Sequence, residues 1–246
     1  MSLNLPTPAV ALAIGAHPDD VEFGCGATLA KWAAAGCIVH HLICTDGSKG
    51  SWDVEADTDA LVRTRQEEQR AAAKALGATG EQVFLGHVDG ELESGLDARR
   101  QVAAWIRRLR PTVVLGHDPW KRYRLHPDHR HAGLLAVEGV VAARDPHFFP
   151  ELELPHHRPD ELLLFEADEP DHVEDVADHV DRKVAALLSH TSQLRSTMGI
   201  DESADQATVA AQRAAFEHDV HARLIERGAL EGVALGESYK RLSPAS

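Results

Sequence analysis

Residues 9–16 (AVALAIGA) form an unbroken run of small apolar side chains that ends in Gly15 and Ala16. Such a run predicts a strand buried on both faces, as in a parallel sheet. A helix is expected over 23–35, closed at Gly36. Residues 37–45 (CIVHHLICT) predict a second strand, and the polar stretch 46–59, with two glycines, a loop. The alternation then repeats. An amphipathic helix over 60–76 ends at Gly77, a short strand occupies 82–85, and a helix spans 96–109. Pro111 introduces the strand 112–116 (TVVLG), and a loop over 118–128 leads into a helix at 129–143. The Pro-rich segment 145–159 reads as loop, 161–165 and 173–176 as later strands, and 177–189 and 207–227 as helices. Strands alternating with helices imply an α/β fold, a Rossmann-like and mostly parallel sheet with helices on both faces. No repeat, low-complexity segment or linker interrupts the pattern, so a single domain over 1–246 is expected.

In open sheets of this kind ligands bind beyond the carboxyl ends of the strands. The polar segments after Ala16, Thr45, Leu85 and Gly116 should therefore converge, and they contain nearly every residue with useful chemistry. Composition narrows the choice of partner. A net charge of −14 argues against binding through a nucleic-acid backbone or an anionic membrane surface. Three cysteines (Cys25, Cys37 and Cys44) give an odd number, two of them in apolar runs, which suits a reducing compartment. No run approaches the ~18 apolar residues of a membrane span, and no secretory signal pattern opens the chain. A cytoplasmic location is the expectation.

Two clusters stand out: His17-Pro18-Asp19-Asp20 after the first strand, and His126-Pro127-Asp128-His129 before a helix. Taken singly, each is equally well a turn with Asp20 or Asp128 capping the next helix. Taken together, in loops beyond strand ends, they point to a shared metal site. Imidazole and carboxylate suit Zn2+, whose catalytic sites keep a position open for water; Fe2+ or Co2+ are substitutes for the same chemistry.

The AHPDD segment with Glu22 and GCGATLA after it, together with HPDHRHAG, resembles the LmbE-like, or PIG-L, deacetylase family. Further similarities are Thr45-Asp46-Gly47, Arg65 and Glu68 before Leu76-Gly77, Phe84-Leu85-Gly86, Asp89-Gly90 and Leu92, then Lys183, Ala186-Leu187, His190 and Ser192-Gln193. The family motif often carries Glu directly after the second Asp. Here Val21 holds that position and Glu22 follows, a variant that the family also shows. The resemblance implies a zinc-dependent N-deacetylase, acting on an N-acetylglucosamine-type glycoside and related to the deacetylases of mycothiol and bacillithiol biosynthesis. It implies that His17, Asp20 and His129 bind the metal and that Asp19 is the general base. His126 would face the developing oxyanion, with Asp128 orienting it and favouring its charged form. Arg65 would anchor substrate. Homo-oligomers, trimers or hexamers, are expected on the same ground.

The chemistry supports these residue types. Amide hydrolysis needs a nucleophile at neutral pH, a base within reach of it, and stabilisation of the tetrahedral oxyanion. Other residues carry double readings. Asp118 lines the pocket or orients a ligand, and His190 lines the pocket or packs on a helix face. Ser48, Ser51 and Trp52 touch substrate or solvent. Residues 121–124 (KRYR) meet an anionic substrate or form a solvated lid. His87 reads as a loop histidine, and Cys25 as a small buried residue rather than a nucleophile. Gly24-Cys25-Gly26 lacks a full dinucleotide-loop spacing, because residue 29 is leucine. Two other classes use the same site: a non-haem Fe(II) oxygenase, built on two histidines and one carboxylate, and a non-catalytic metal- or carbohydrate-binding module.

Overall fold

Along a strand, successive side chains face opposite ways, and the first long strand of the chain shows what that does. Leu12 and Ile14 enter one buried apolar cluster, while Ala11 and Ala13 enter another on the opposite face. The computed structural model describes residues 1–245. Its strands are β1 (Ser2–Leu3), β2 (Val10–Gly15), β3 (Ile38–Thr45), β4 (Gln82–His87), β5 (Val113–His117), β6 (Glu161–Phe165), β7 (His172–Asp175) and β8 (Gly236–Leu242). They form one sheet in the order β1-β7-β8-β6-β5-β2-β3-β4. All pairings are parallel except those that β8 makes with β6 and β7.

The helices are α1 (Asp20–Ala34), α2 (Thr58–Leu76), α3 (Leu96–Leu109), α4 (Pro127–Arg144), α5 (Val180–Leu187) and α6 (Gln206–Gly228). On one face α3 and α4 cover the sheet with Val102, Ile106, Leu135 and Val140. On the other, α1 and α2 supply Val21, Leu29, Ala72 and Leu76. A third cluster joins α5 and α6 through Val180, Val184, Leu187, Val220 and Leu224. The expected α/β architecture, a mostly parallel sheet with helices on both faces, is the one observed.

The differences from expectation have local causes. Helices α1 and α4 begin earlier than expected, at Asp20 and Pro127, because proline is tolerated at a first helical position and both motifs run straight into helix. The segment expected as one helix over 177–189 is split into a 3-10 turn, Ala177–His179, and α5. β1 is too short to carry periodicity. β8 (GESYKRL) reads as polar, yet its Glu237 and Tyr239 are buried.

Those two residues explain a break in α1. Cys25 departs from helical geometry at φ −148°, ψ 17°. The interruption frees amides and a carbonyl that need partners. Glu237 accepts from the N–H groups of Ala27 (3.1 Å) and Thr28 (2.8 Å). Lys183 Nζ donates to Phe23 O (2.7 Å) and to Glu237 Oε1 (2.6 Å). The helix is thus two segments, each with its broken end satisfied.

Close packing of β5 against α4 sets the first prediction. A Cβ on Gly116 would stand 2.7 Å from Ala136 Cβ. Gly116→Ala should overpack this contact and destabilise the fold by about 1–3 kcal/mol. A denaturant midpoint unchanged from wild type would show that α4 yields without cost.

Candidate active site

Immediately after β2 the chain makes a tight turn into α1. Asp19, the cap residue, has φ 106°, a backbone conformation that residues with side chains rarely adopt. Strain of this kind, of order 1–3 kcal/mol, persists only where surrounding contacts enforce it. Here Gln69 Oε1 accepts the Asp19 N–H at 3.0 Å. Arg65 Nη2 donates to Pro18 O (2.6 Å) and to Asp19 Oδ2 (3.2 Å), and Nη1 donates to Gly47 O (3.0 Å). Gln69, itself fully buried, donates to Glu22 Oε1 at 2.7 Å. The position of the Asp19 carboxyl is therefore set from behind by α2.

Around this turn the ends of four strands converge. His17 follows β2, Asp89 follows β4, His117 ends β5 and Glu166 follows β6, while His126 caps α4 and His129 lies in its first turn. Asp20 Oδ2 accepts from the His17 backbone N–H (2.7 Å) and lies 3.3 Å from both His17 Nδ1 and His117 Nε2. Asp20 Oδ1 lies 3.3 Å from His129 Nε2. His17 Nε2 is 3.1 Å from Asp89 Oδ1 and from Asp128 Oδ2. The ring centroids of His17 and His126 are 4.5 Å apart, and those of His126 and His129 5.0 Å. A cavity of about 890 Å³ opens over this cluster, with His17, Asp19, Asp20, Arg65, His126 and His129 in its wall.

Burial alone would lower the His17 imidazole, but hydrogen bonds to Asp128, Asp20 and Asp89 outweigh it and push it up to about 12. Three carboxylates around one ring demand positive charge at this point. Burial would raise Asp20, yet His129 and His117 hold it well below the usual carboxylate range. His129 is pushed down to about 4 by burial, so its ring is neutral. Asp19 is pushed up to about 6, chiefly by burial, with Arg65 opposing. His126 is lowered by burial and by the neighbouring charge of His17.

This donor set fits a divalent cation. Among the described residues, three groups have donor atoms within 4.8 Å of one another: His17, His126 and His129; Asp20, His117 and His129; and His17, Asp89, His126 and Asp128. The trio expected from the sequence, His17, Asp20 and His129, is divided between the first two. The buried Nε2 of His117 has no hydrogen bond among the described residues. Imidazoles and a deprotonated carboxylate are the ligand types that Zn2+ and similar ions take. His126 and His129 are lowered by burial, and the three carboxylates around His17 supply the negative charge that a cation would meet in place of its proton.

Asp128 and Asp118 make contacts other than those expected. The Asp128 carboxylate does not orient His126. It faces His17 and accepts from Gly90 N–H (2.6 Å) and Leu92 N–H (3.3 Å). Its backbone N–H donates to His126 Nδ1 at 3.3 Å, and its charge favours the protonated ring, though burial and His17 outweigh it and lower the imidazole. Asp118 is not in the cavity wall; its Oδ1 accepts from Trp120 N–H at 2.9 Å and closes a turn. Its neighbour His117, also outside the cavity wall, joins the cluster from behind, 3.3 Å from Asp20 and stacked on His129. Asp89 and Glu166 were also missed as site residues, and Arg124, expected to meet substrate or solvent, instead joins the cluster. Arg124 Nη1 donates to Glu166 Oε2 (2.8 Å) and lies 3.1 Å from His129 Nδ1.

The remaining candidates resolve simply. Ser51, Trp52 and Lys121 line the cavity. Ser48 closes a turn through its N–H on Asp46. His87 pairs with Gln101 at 2.9 Å. His190 is fully buried against Glu22 (3.4 Å), away from the cavity wall. Cys25 is buried, with its thiol pushed well above its ordinary value by burial, which rules against a nucleophile.

Residues 12–140 match the PIG-L family profile, described as GlcNAc-PI de-N-acetylase. The diacetylchitobiose deacetylase of Thermococcus kodakarensis is 36% identical over 185 residues, which is 74% of this chain and 69% of that one. A 1D-myo-inositol 2-acetamido-2-deoxy-alpha-D-glucopyranoside deacetylase of Streptomyces avermitilis is 35% identical over 169 residues, 58% of this chain and 57% of its own length. The chain thus spans little more than half of that second relative. The structure of N,N'-diacetylchitobiose deacetylase from Pyrococcus horikoshii superposes with a TM-score of 0.84 at 26% identity, covering 97% of this chain and 85% of that one. On the matched profile and these relatives, the chain belongs to the PIG-L family of GlcNAc-PI de-N-acetylases.

Proposed function

We propose that the chain, as one catalytic domain over 1–246, is a metal-dependent N-deacetylase that hydrolyses the acetamide of an N-acetylglucosamine-type glycoside. The observation that supports this most is a buried carboxyl, Asp19, standing beside a cation-shaped cluster in one cavity. His17, Asp20 and His129 would hold the ion, with His117 fixing Asp20. A zinc ion held by these residues would supply a lowered water pKa, to about 7, and a polarised amide carbonyl.

Asp19 takes the proton of the attacking water and returns it to the departing amine. A base whose pKa sits about one unit below neutrality suits that exchange. Arg65 fixes Oδ2 of this carboxyl, so Oδ1 is the oxygen that meets the water. His126 accepts at Nδ1 and therefore carries its proton on Nε2. It donates that proton as a hydrogen bond to the tetrahedral oxyanion, and in this tautomer it needs no positive charge. Neither an oxygenase nor a simple binding module needs a buried base beside such a donor.

Relatives whose names specify acetylated glucosamine compounds give the substrate class. The free, buried cysteines suit a reducing cytoplasm, and a homo-oligomer remains our expectation. The direct test is acetate release from a panel of N-acetylglucosamine glycosides by zinc-loaded protein. Folded, metal-loaded protein that releases none would sink this reading.

Arg65 supplies a further test. Its fork joins the 16–19 turn, Gly47 and Asp19, which a lysine's single point charge does not reproduce. Arg65→Lys should lower kcat by about 10–100-fold with metal content unchanged. A change confined to KM would instead assign Arg65 to anchoring substrate.

A further inference from the structure

The cavity is larger than a single sugar ring requires. At about 890 Å³ it lies near the top of the roughly 300–1,000 Å³ range of small-molecule sites. It continues from the histidine cluster past Phe23 and Gly24 to Met198 and to α6, where Phe216, Val220 and Leu224 line it. Phe23 lies one helical turn beyond Asp19, its N–H bonded to Asp19 O at 3.1 Å. The lobe therefore begins about 5 Å along the helix from the base. Phe23 and Phe216 meet edge to face, centroids 6.4 Å apart, and both are only partly buried. Met198, Val220 and Leu224 are buried behind them. Charges along the lobe are balanced: Asp219 and Glu226 stand against Arg223 and Arg227, and the buried Lys183 and Glu237 in the wall pair with each other at 2.6 Å, so the lobe does not call for a charged ligand.

We propose that this lobe binds an apolar aglycone, an alkyl or aryl group joined to the amino sugar. The inference rests on the deacetylase reading and extends it. The occupant is the aglycone rather than a long acyl chain, because the relatives named above remove acetyl. The short acyl group leaves the volume to the other half of the substrate.

The test compares the methyl and octyl glycosides of N-acetylglucosamine with zinc-loaded protein, the octyl compound kept below its micelle threshold. Burial is worth about fourfold per methylene, so kcat/KM should favour octyl by at least about tenfold. The ratio should fall toward one in Phe216→Asp, with circular dichroism confirming the fold and Phe216→Ala as the milder variant. Acetate released equally from both glycosides overturns the lobe and leaves the deacetylase intact. A preference that follows N-acyl length instead also overturns it. Binding of octyl glucoside, which has no amide, is measured by calorimetry alongside. If no acetate is released, binding that Phe216→Asp abolishes keeps the lobe and discards the deacetylase; absence of binding discards the lobe as well.

Discussion

Replacing Asp19 by Asn lowers acetate release by about 10²–10⁴-fold, the usual contribution of a general base, while metal content and fold stay as in wild type. The substitution is clean for three reasons. Asn has the same shape, its amide oxygen still accepts from Arg65 Nη2, and Asn tolerates positive φ as Asp does. What it loses is the capacity to take a proton. The pH profile of wild type adds a second constraint. Burial raises Asp19 to about 6, and the base must be ionised to work, so kcat/KM falls as pH drops through that region. A bound cation favours the ionised form, which moves the acid limb to pH 6 or lower. Single-turnover acetate release at about pH 4.5 to 8, which brackets the expected limb, reads both effects. An Asp19→Asn enzyme with near wild-type kcat would remove Asp19 from the chemistry, whatever the metal content.

Chelation gives the other large effect. Exhaustive dialysis against a chelator should reduce acetate release to background, and Zn2+ should restore it. His17→Ala should not recover on the same treatment. In that variant Asp20, Asp89 and Asp128 keep their places while the imidazole between them is gone. The remaining carboxylates repel one another, and the site loses a nitrogen donor. Wild type should also gain stability on loading, by about 2.7 kcal/mol when free metal is 100 times Kd, and thermal unfolding with and without Zn2+ reads it. Full activity after chelation, with metal absent by elemental analysis, would contradict the metallohydrolase. Restoration by Fe2+ or Co2+ as well as Zn2+ would leave the chemistry and widen the choice of ion.

How far the sequence predicted this site follows from where each residue lies. His17, Asp19, Asp20, His126 and His129 sit in two short motifs directly beyond strand ends or at a helix start, and the rule for open sheets placed them together before any contact was seen. His117 escaped because the strand was ended one residue early, so attention passed to Asp118. Asp89 sits in the matched Asp89-Gly90 segment, but nothing there marks it as a site residue, and Glu166 carries no local motif. Their roles arise from contacts with His17 and with His117 and Arg124 that only the assembled sheet creates. The contacts of Asp128 were not legible either: one turn of chain sets where a carboxylate starts, but tertiary packing decides that it faces His17. In the fold, buried apolar strands were legible from pattern. β8 was not, because its inward residues are Glu237 and Tyr239, which read as surface until their partners Lys183 and Thr28 are known.

The placement of β8 has a kinetic consequence. It lies between β6 and β7 and is antiparallel to both, pairing Leu162 with Leu242 and Val173 with Ser238 across a long stretch of chain. Such non-local pairings form slowly, since the loop must close before any contact rewards it. Until β8 inserts, β6 presents a bare edge of apolar residues, a template for joining other chains. Glu237 arrives on the same strand, so the break in α1 also waits for it. Refolding of this protein should therefore be limited by one late strand insertion, and aggregation should compete with folding at that step.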